Sequence, residues 1–206
     1  MSEINRKNES LDLVGAFEQG WIQYKSGFYK VLPYGLISAM PSMFFSFNIT
    51  IGVVLTILFQ GFFLVLLANS VHSLATGTRD DIYSARYLLS LFKNGLILSI
   101  FLFPLLVISF IIFIVPSVIV FSLFMFSFFI VAKKEKFAVD ALMESLRLGF
   151  GYRLHLFLFS LVFYSSVIIG VILSNVVPML HVFINGILLP YFFYVIFELY
   201  EQLEKK

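Results

Sequence analysis

Residues 115–154 read VPSVIVFSLFMFSFFIVAKKEKFAVDALMESLRLGFGYRL. The stretch opens on Val115-Pro116 and carries no charge until Lys133, Lys134, Glu135 and Lys136 stop it. An amphipathic segment follows, and another apolar run begins at Leu154. A bilayer core about 30 Å thick takes roughly 20 helical residues to cross. The stretch therefore reads as a membrane crossing, its charged stop and a helix lying at the surface.

Outward from this unit the same plan recurs. Three runs contain no Asp, Glu, Lys or Arg: 31–78, 94–132 and 154–197. Each is about two crossings long, which makes it a helical hairpin. Turn signals stand near the three midpoints, at Phe47-Asn48, at Val115-Pro116-Ser117 and at Ser174-Asn175 with Pro178. This predicts six helices, over 32–48, 50–72, 95–114, 116–132, 155–175 and 182–200. Strands are not expected, because open edges leave backbone groups unpaired in lipid and the runs lack the alternation of a barrel.

Every charged residue falls outside the three runs. With six crossings, all of them lie on one side, and the positive-inside rule makes that side the cytoplasm, with both termini in it. Tyr24, Tyr29, Tyr34, Tyr83, Tyr87, Tyr152 and Tyr200 are expected at the same interface, where amphipathic rings are at home.

The segments between hairpins have helical periodicity. Val14, Phe17, Trp21, Tyr24 and Phe28 form one stripe, and Ile82, Ala85, Leu89 and Phe92 form another, with Thr78 ahead of Asp81 as a start signal. In the third segment Asp140, Glu144, Arg147 and Gly151 oppose Phe137, Ala141 and Leu148, and Glu144 is one turn from Arg147. Each reads as an amphipathic helix in the membrane interface. The expected fold is an all-α integral membrane protein. Its six transmembrane helices form three hairpins, each preceded by a cytoplasmic amphipathic helix. After a polar tail over 1–10, a single membrane domain over 11–206 repeats at about 11–75, 79–136 and 137–206, the copies related by an axis along the membrane normal.

Composition agrees. Apolar residues are 60 % and charged residues 13 %, against about 45–50 % and 25 % in soluble domains. The mean hydropathy is +0.98. A net charge of +2 gives no footprint for nucleic acid. The absence of cysteine excludes disulfides, thiolate metal ligands and a cysteine nucleophile. The opening MSEINRKNES has no basic-then-apolar pattern, and neither a removable signal peptide nor a lipid anchor is expected.

The order of proline, apolar crossing, charged turn and Ala-Leu-x-x-Ser-x-x-Leu-x-x-Gly is carried here by Pro116, Lys133 to Lys136, Ala141, Leu142, Ser145, Leu148 and Gly151. It resembles a broad group of uncharacterised six-helix bacterial inner-membrane proteins, a group similar to the membrane domain attached to some glycerophosphodiester phosphodiesterases. The start, AFEQGWIQYKSGFYKVLPYGLI, is similar to that group's first surface helix. The chain departs from the pattern at Leu146, where tryptophan is frequent, and in its basic KKEK turn. The resemblance implies a fold and a bacterial inner-membrane location, and transfers no catalytic residue.

Polar groups inside a membrane are costly and often functional. Gln60, Tyr164 and Tyr191 fall mid-way along their helices, with Pro41, Pro104 and Pro190 near the same level. They form either a small polar chamber or interhelical hydrogen bonds. No acid or base lies at that depth, which argues against proton- or ion-coupled transport. His72, His155 and His181 are isolated, so no metal site or cofactor is expected. No Gly-x-Ser-x-Gly or phosphate loop occurs. Lys133, Lys134, Lys136, Arg147 and Arg153 either fix the topology or hold an anionic lipid headgroup. The expected function is non-enzymatic: a structural or interaction role in envelope or lipid homeostasis, with membrane lipids and a membrane protein as partners. The alternative is a small transporter or channel for a lipid-like or neutral solute.

Overall fold

Asn48 stands where the first turn is predicted. Its backbone is extended, at φ −156° and ψ 118°, and its side-chain oxygen accepts from the N–H groups of Thr50 and Ile51 at 2.9 and 3.1 Å. Two of the donors that a helix start leaves unpaired are thereby satisfied. The computed structural model describes residues 11–44, 48–78, 84–134, 136–174 and 180–205. These form α1 (Leu13–Met43), α2 (Ile49–Thr76), α3 (Ala85–Ile112), α4 (Ile114–Phe124), α5 (Ser127–Lys134), α6 (Ala138–Gly149), α7 (Arg153–Ser174) and α8 (Leu180–Glu204), with no strand among the described residues. The tail over 1–10, Asp81, Ile82, Tyr83, Asn175 and Pro178 lie outside them.

Three expectations about the helices are corrected. First, the surface segments ahead of the first two hairpins are not separate helices. α1 runs unbroken for 31 residues with Pro33 and Pro41 inside it, and α3 for 28 residues with Pro104 inside. Lys25, Lys30, Arg86 and Lys93 mark a change of surroundings, but nothing at those positions stops a helix, and long basic side chains reach back toward water. Second, the turn after α3 falls at Phe113, extended at φ −165° and ψ 153°, two residues before Val115-Pro116-Ser117. Pro116 sits in the first turn of α4, where its missing N–H costs nothing. Third, the fourth crossing is broken between α4 and α5 at Met125 and Phe126, both fully buried.

That break explains α6. The Ser145 hydroxyl donates to the Leu123 carbonyl at 2.9 Å, and the Ser127 hydroxyl donates to Phe124 O at 2.5 Å. Carbonyls at the break thus find donors without water. The α6 start is held from α3, where Asn94 Oδ1 accepts the Ala138 N–H at 3.3 Å. α6 turns Ala138, Ala141, Ser145 and Gly149 inward and leaves Val139, Met143 and Phe150 exposed. It meets α7 at a bend of 112°.

The long helices close a ring: α1 beside α2, α2 beside α3, α3 beside α4, α4 beside α7, α7 beside α8, and α8 back along α1. At the end holding the charged residues, α5 fills the ring against α2, and the last turns of α8 lie beside it. Met125 to Ala132 and Phe192 to Phe197 are all buried. Toward the uncharged end the outer surface is apolar, with Ile100, Phe101, Leu105, Ile108, Ile119, Leu158, Val162 and Phe183 exposed. An apolar surface this extensive is foreign to a protein surrounded by water. Thr50–Thr76, Arg86–Ser109, Ile114–Lys133 and Val182–Glu204 are each long and apolar enough to cross a membrane, and α6 with α7 passes as a bent pair. α1 carries Glu18, Lys25 and Lys30 and has only its last turns free of charge. The fold is thus an all-helical one with four or five candidate membrane spans.

Two close crossings hold the ring. A Cβ on Gly35 would run into the Gly186 carbonyl and the Pro190 ring, and one on Gly186 would meet Leu36. Between α2 and α3, a Cβ on Gly61 would collide with the Gly95 carbonyl, and the Gly61 N–H donates to Ser99 Oγ at 2.5 Å. Overpacking a close contact costs about 1–3 kcal/mol. Gly35→Leu should therefore lower the thermal midpoint in detergent by about 4–10 °C. Gly151→Ala, where an added Cβ meets nothing within 4 Å, should leave it unchanged.

Candidate functional site

Between the helices, in the uncharged half, lies a half-open chamber of about 260 Å³. All the long helices contribute: Ser38 and Ala39 from α1, Thr56 and Gln60 from α2, Phe103 from α3, Phe121 from α4, Tyr164 and Ser166 from α7, Asn185 and Leu189 from α8. Phe128 of α5 closes it toward the charged end. No acidic or basic side chain is among its lining residues.

Gln60 and Tyr164 both line this chamber, and each has a partner. Gln60 Nε2 donates to the Ser38 carbonyl at 2.8 Å. The Ser38 hydroxyl lies 2.7 Å from Tyr34 O and 3.1 Å from Phe63 O. The Tyr164 hydroxyl is 2.8 Å from Ser117 Oγ. Its ring stands edge-on to Phe121 and Phe163, which stack at 4.7 Å. The chamber is thus an apolar space with fixed polar points on its wall. Its volume is just below the ~300–1,000 Å³ of small-molecule sites, room for one chain or small amphiphile rather than a whole phospholipid.

Tyr191 is not part of the chamber. Its ring packs with Trp21, Tyr24 and Phe17 on the α1–α8 flank, at 5.6, 5.8 and 6.4 Å. The correction has a helical cause: Tyr191 and Phe192 are neighbours about 100° apart on α8, and Phe192 faces the chamber. Sequence depth alone does not separate them. The Tyr24 hydroxyl below this cluster donates to Ile187 O at 2.8 Å. Thr56, Ser166 and Asn185, which sequence reading passed over, line the chamber. Their signal was a polar residue in an uncharged run, shared with many serines that pair only with their own helix.

At the charged end the basic residues divide. Lys133 reaches Glu201 at 2.9 Å and Glu204 at 2.5 Å, with the Tyr200 ring 5.2 Å from its ammonium. Lys136 pairs with Glu144 at 2.5 Å, an acceptor expected to serve Arg147. These two charges are matched within the chain, so their first role is to tie α5 to α8 and the loop to α6. Arg153 lies over the Phe150 ring at 4.3 Å, and Arg147 is exposed in the last turn of α6. The Lys134 side chain lies outside the described residues. His72 packs its ring edge-on to Phe197 at 5.8 Å.

Partly exposed ion pairs contribute about 0–1 kcal/mol each. Lys133→Met should therefore lower the thermal midpoint by a few degrees, a difference that narrows in 1 M salt. A midpoint equal to that of the unchanged protein at low salt would show that the clamp contributes nothing. No protein-family model, curated protein or solved structure matches the chain.

Proposed function

We propose that this chain is a non-enzymatic integral membrane protein of envelope or lipid homeostasis that holds one neutral, lipid-like molecule within its helical ring. The observation that carries this reading is the chamber: six helices around an uncharged, largely apolar space, with Gln60 and Tyr164 on its wall. An ion finds no countercharge there, whereas an apolar chain with a hydroxyl or ester finds contact area and hydrogen-bond partners. The buried aromatic residues of α5 and α8 at the charged end support a holding site over an open channel. A carrier for the same class of solute is the second form of this reading. In either form six crossings with cytoplasmic termini are proposed from the length of the uncharged runs and the positive-inside rule, and the bacterial inner membrane from the sequence resemblance alone.

A photoactivatable monoacylglycerol analogue tests it. Cross-linking of purified protein should label α2 and α7 beside Gln60 and Tyr164. Thr56→Trp, which fills the chamber, should abolish that label, and Gln60→Leu should reduce it about fivefold. Labelling confined to outward residues such as Phe101 and Val162, and unaffected by Thr56→Trp, would contradict the proposal.

A further inference from the structure

A second pocket, of about 280 Å³, opens at the opposite level of the molecule, between α1, the last turn of α2 and α8. Polar groups dominate its wall: Gln23, Ser26, Lys30 and Tyr194, with Gly27 between them. Gln23 Nε2 donates to Glu198 Oε1 in a short hydrogen bond, while its buried Oε1 has no partner among the described residues. An unpaired buried carbonyl oxygen costs about 1–3 kcal/mol, which a donor in the pocket relieves once the Gln23 side chain turns that oxygen toward it. Tyr194 is 1 % exposed, yet its hydroxyl borders the pocket at Gly27, where a Cβ would stand 2.5 Å away. The missing side chain at Gly27 keeps that hydroxyl accessible.

The position and charge of the pocket narrow what fills it. Lys30 immediately precedes the uncharged run over 31–78, and Leu74 and Ala75 stand at that run's far end. The pocket therefore sits at the boundary between apolar and charged surface, the level of lipid headgroups when the helices cross a membrane. One cation, Lys30, borders it, and one anion, Glu198, stands behind Gln23. This balance suits a zwitterion better than an anion. We propose that the pocket binds a phosphoethanolamine-type lipid headgroup. Lys30 and Tyr194 donate to its phosphate, and Gln23 Oε1 accepts an N–H from its ammonium. The site is separate from the chamber and does not depend on what the chamber holds.

Native mass spectrometry of the full chain, with phosphatidylethanolamine, phosphatidylcholine and diacylglycerol offered in equal amounts, tests the assignment. Phosphatidylcholine keeps the phosphate and charge but has no N–H for Gln23. Phosphatidylethanolamine should be retained about fivefold over phosphatidylcholine and about tenfold over diacylglycerol. Lys30→Ala and Tyr194→Phe should each reduce its retention about fivefold, while Lys25→Ala and Thr56→Trp leave it unchanged. Equal retention of the three lipids, or indifference to both Lys30→Ala and Tyr194→Phe, would overturn it. Full displacement by equimolar soluble glycerophosphoethanolamine would overturn the lipid assignment in favour of a free headgroup.

Discussion

Gly35 of α1 lies so close to α8 that a side chain there would run into the Gly186 carbonyl and the Pro190 ring, and the helical ring closes through this contact. Lipid tails are as apolar as leucine, so helices in a membrane gain little by burying large apolar faces against one another. They gain by approaching closely over small residues and by pairing polar groups. This chain follows that rule along α1, whose buried side sets Ala16, Gly20, Gly27, Val31 and Gly35 around one large ring, Tyr24, while Val14, Trp21 and Tyr29 stand exposed. Head-to-tail hydrogen bonds complete the pairing, with Asp12 N–H donating to Gln202 Oε1 at 3.1 Å and Gln202 Nε2 to Asp12 O at 3.2 Å.

The same rule accounts for α6. Its inward side consists of alanine, serine and glycine, which lets Ser145 reach a carbonyl at the α4–α5 break. The Ala141-Leu142-x-x-Ser145 pattern thereby acquires a physical role: Ala141 gives close approach and Ser145 gives the hydrogen bond. α5 continues the span past that interruption and fills the ring at the charged end, and the chamber occupies the half that α5 leaves. Close packing, the serine contact and the chamber are consequences of one another.

Much of this was legible in the sequence. Charge segregation and run length give the all-helical membrane class, and Asn48 gives the first turn. Gln60 and Tyr164 both line the chamber. What was not legible has definite causes. The stripe from Val14 to Phe28 marks a helix but only part of its packed face: Tyr24 is buried and Phe17 and Phe28 pack against the core, while Val14 and Trp21 stand exposed. Lysines in α1 and α3 look like boundaries of a surface helix, yet the backbone continues past them. Tyr191 shares its depth with the chamber and differs only in azimuth, which depends on how α8 rotates about its axis. The carboxylates that meet Lys133 lie some seventy residues away in the chain, at Glu201 and Glu204.

Everything above depends on a ring that crosses a membrane with its charged end on one side. The chain has no cysteine, so single cysteines are clean probes. Asn48 precedes α2 and Ser84 precedes α3, with α2 between them in the chain, and both are exposed. A membrane-impermeant maleimide should reach Asn48→Cys from one face of oriented vesicles only, and Ser84→Cys from the other face only. Labelling of both positions from the same face would contradict the account.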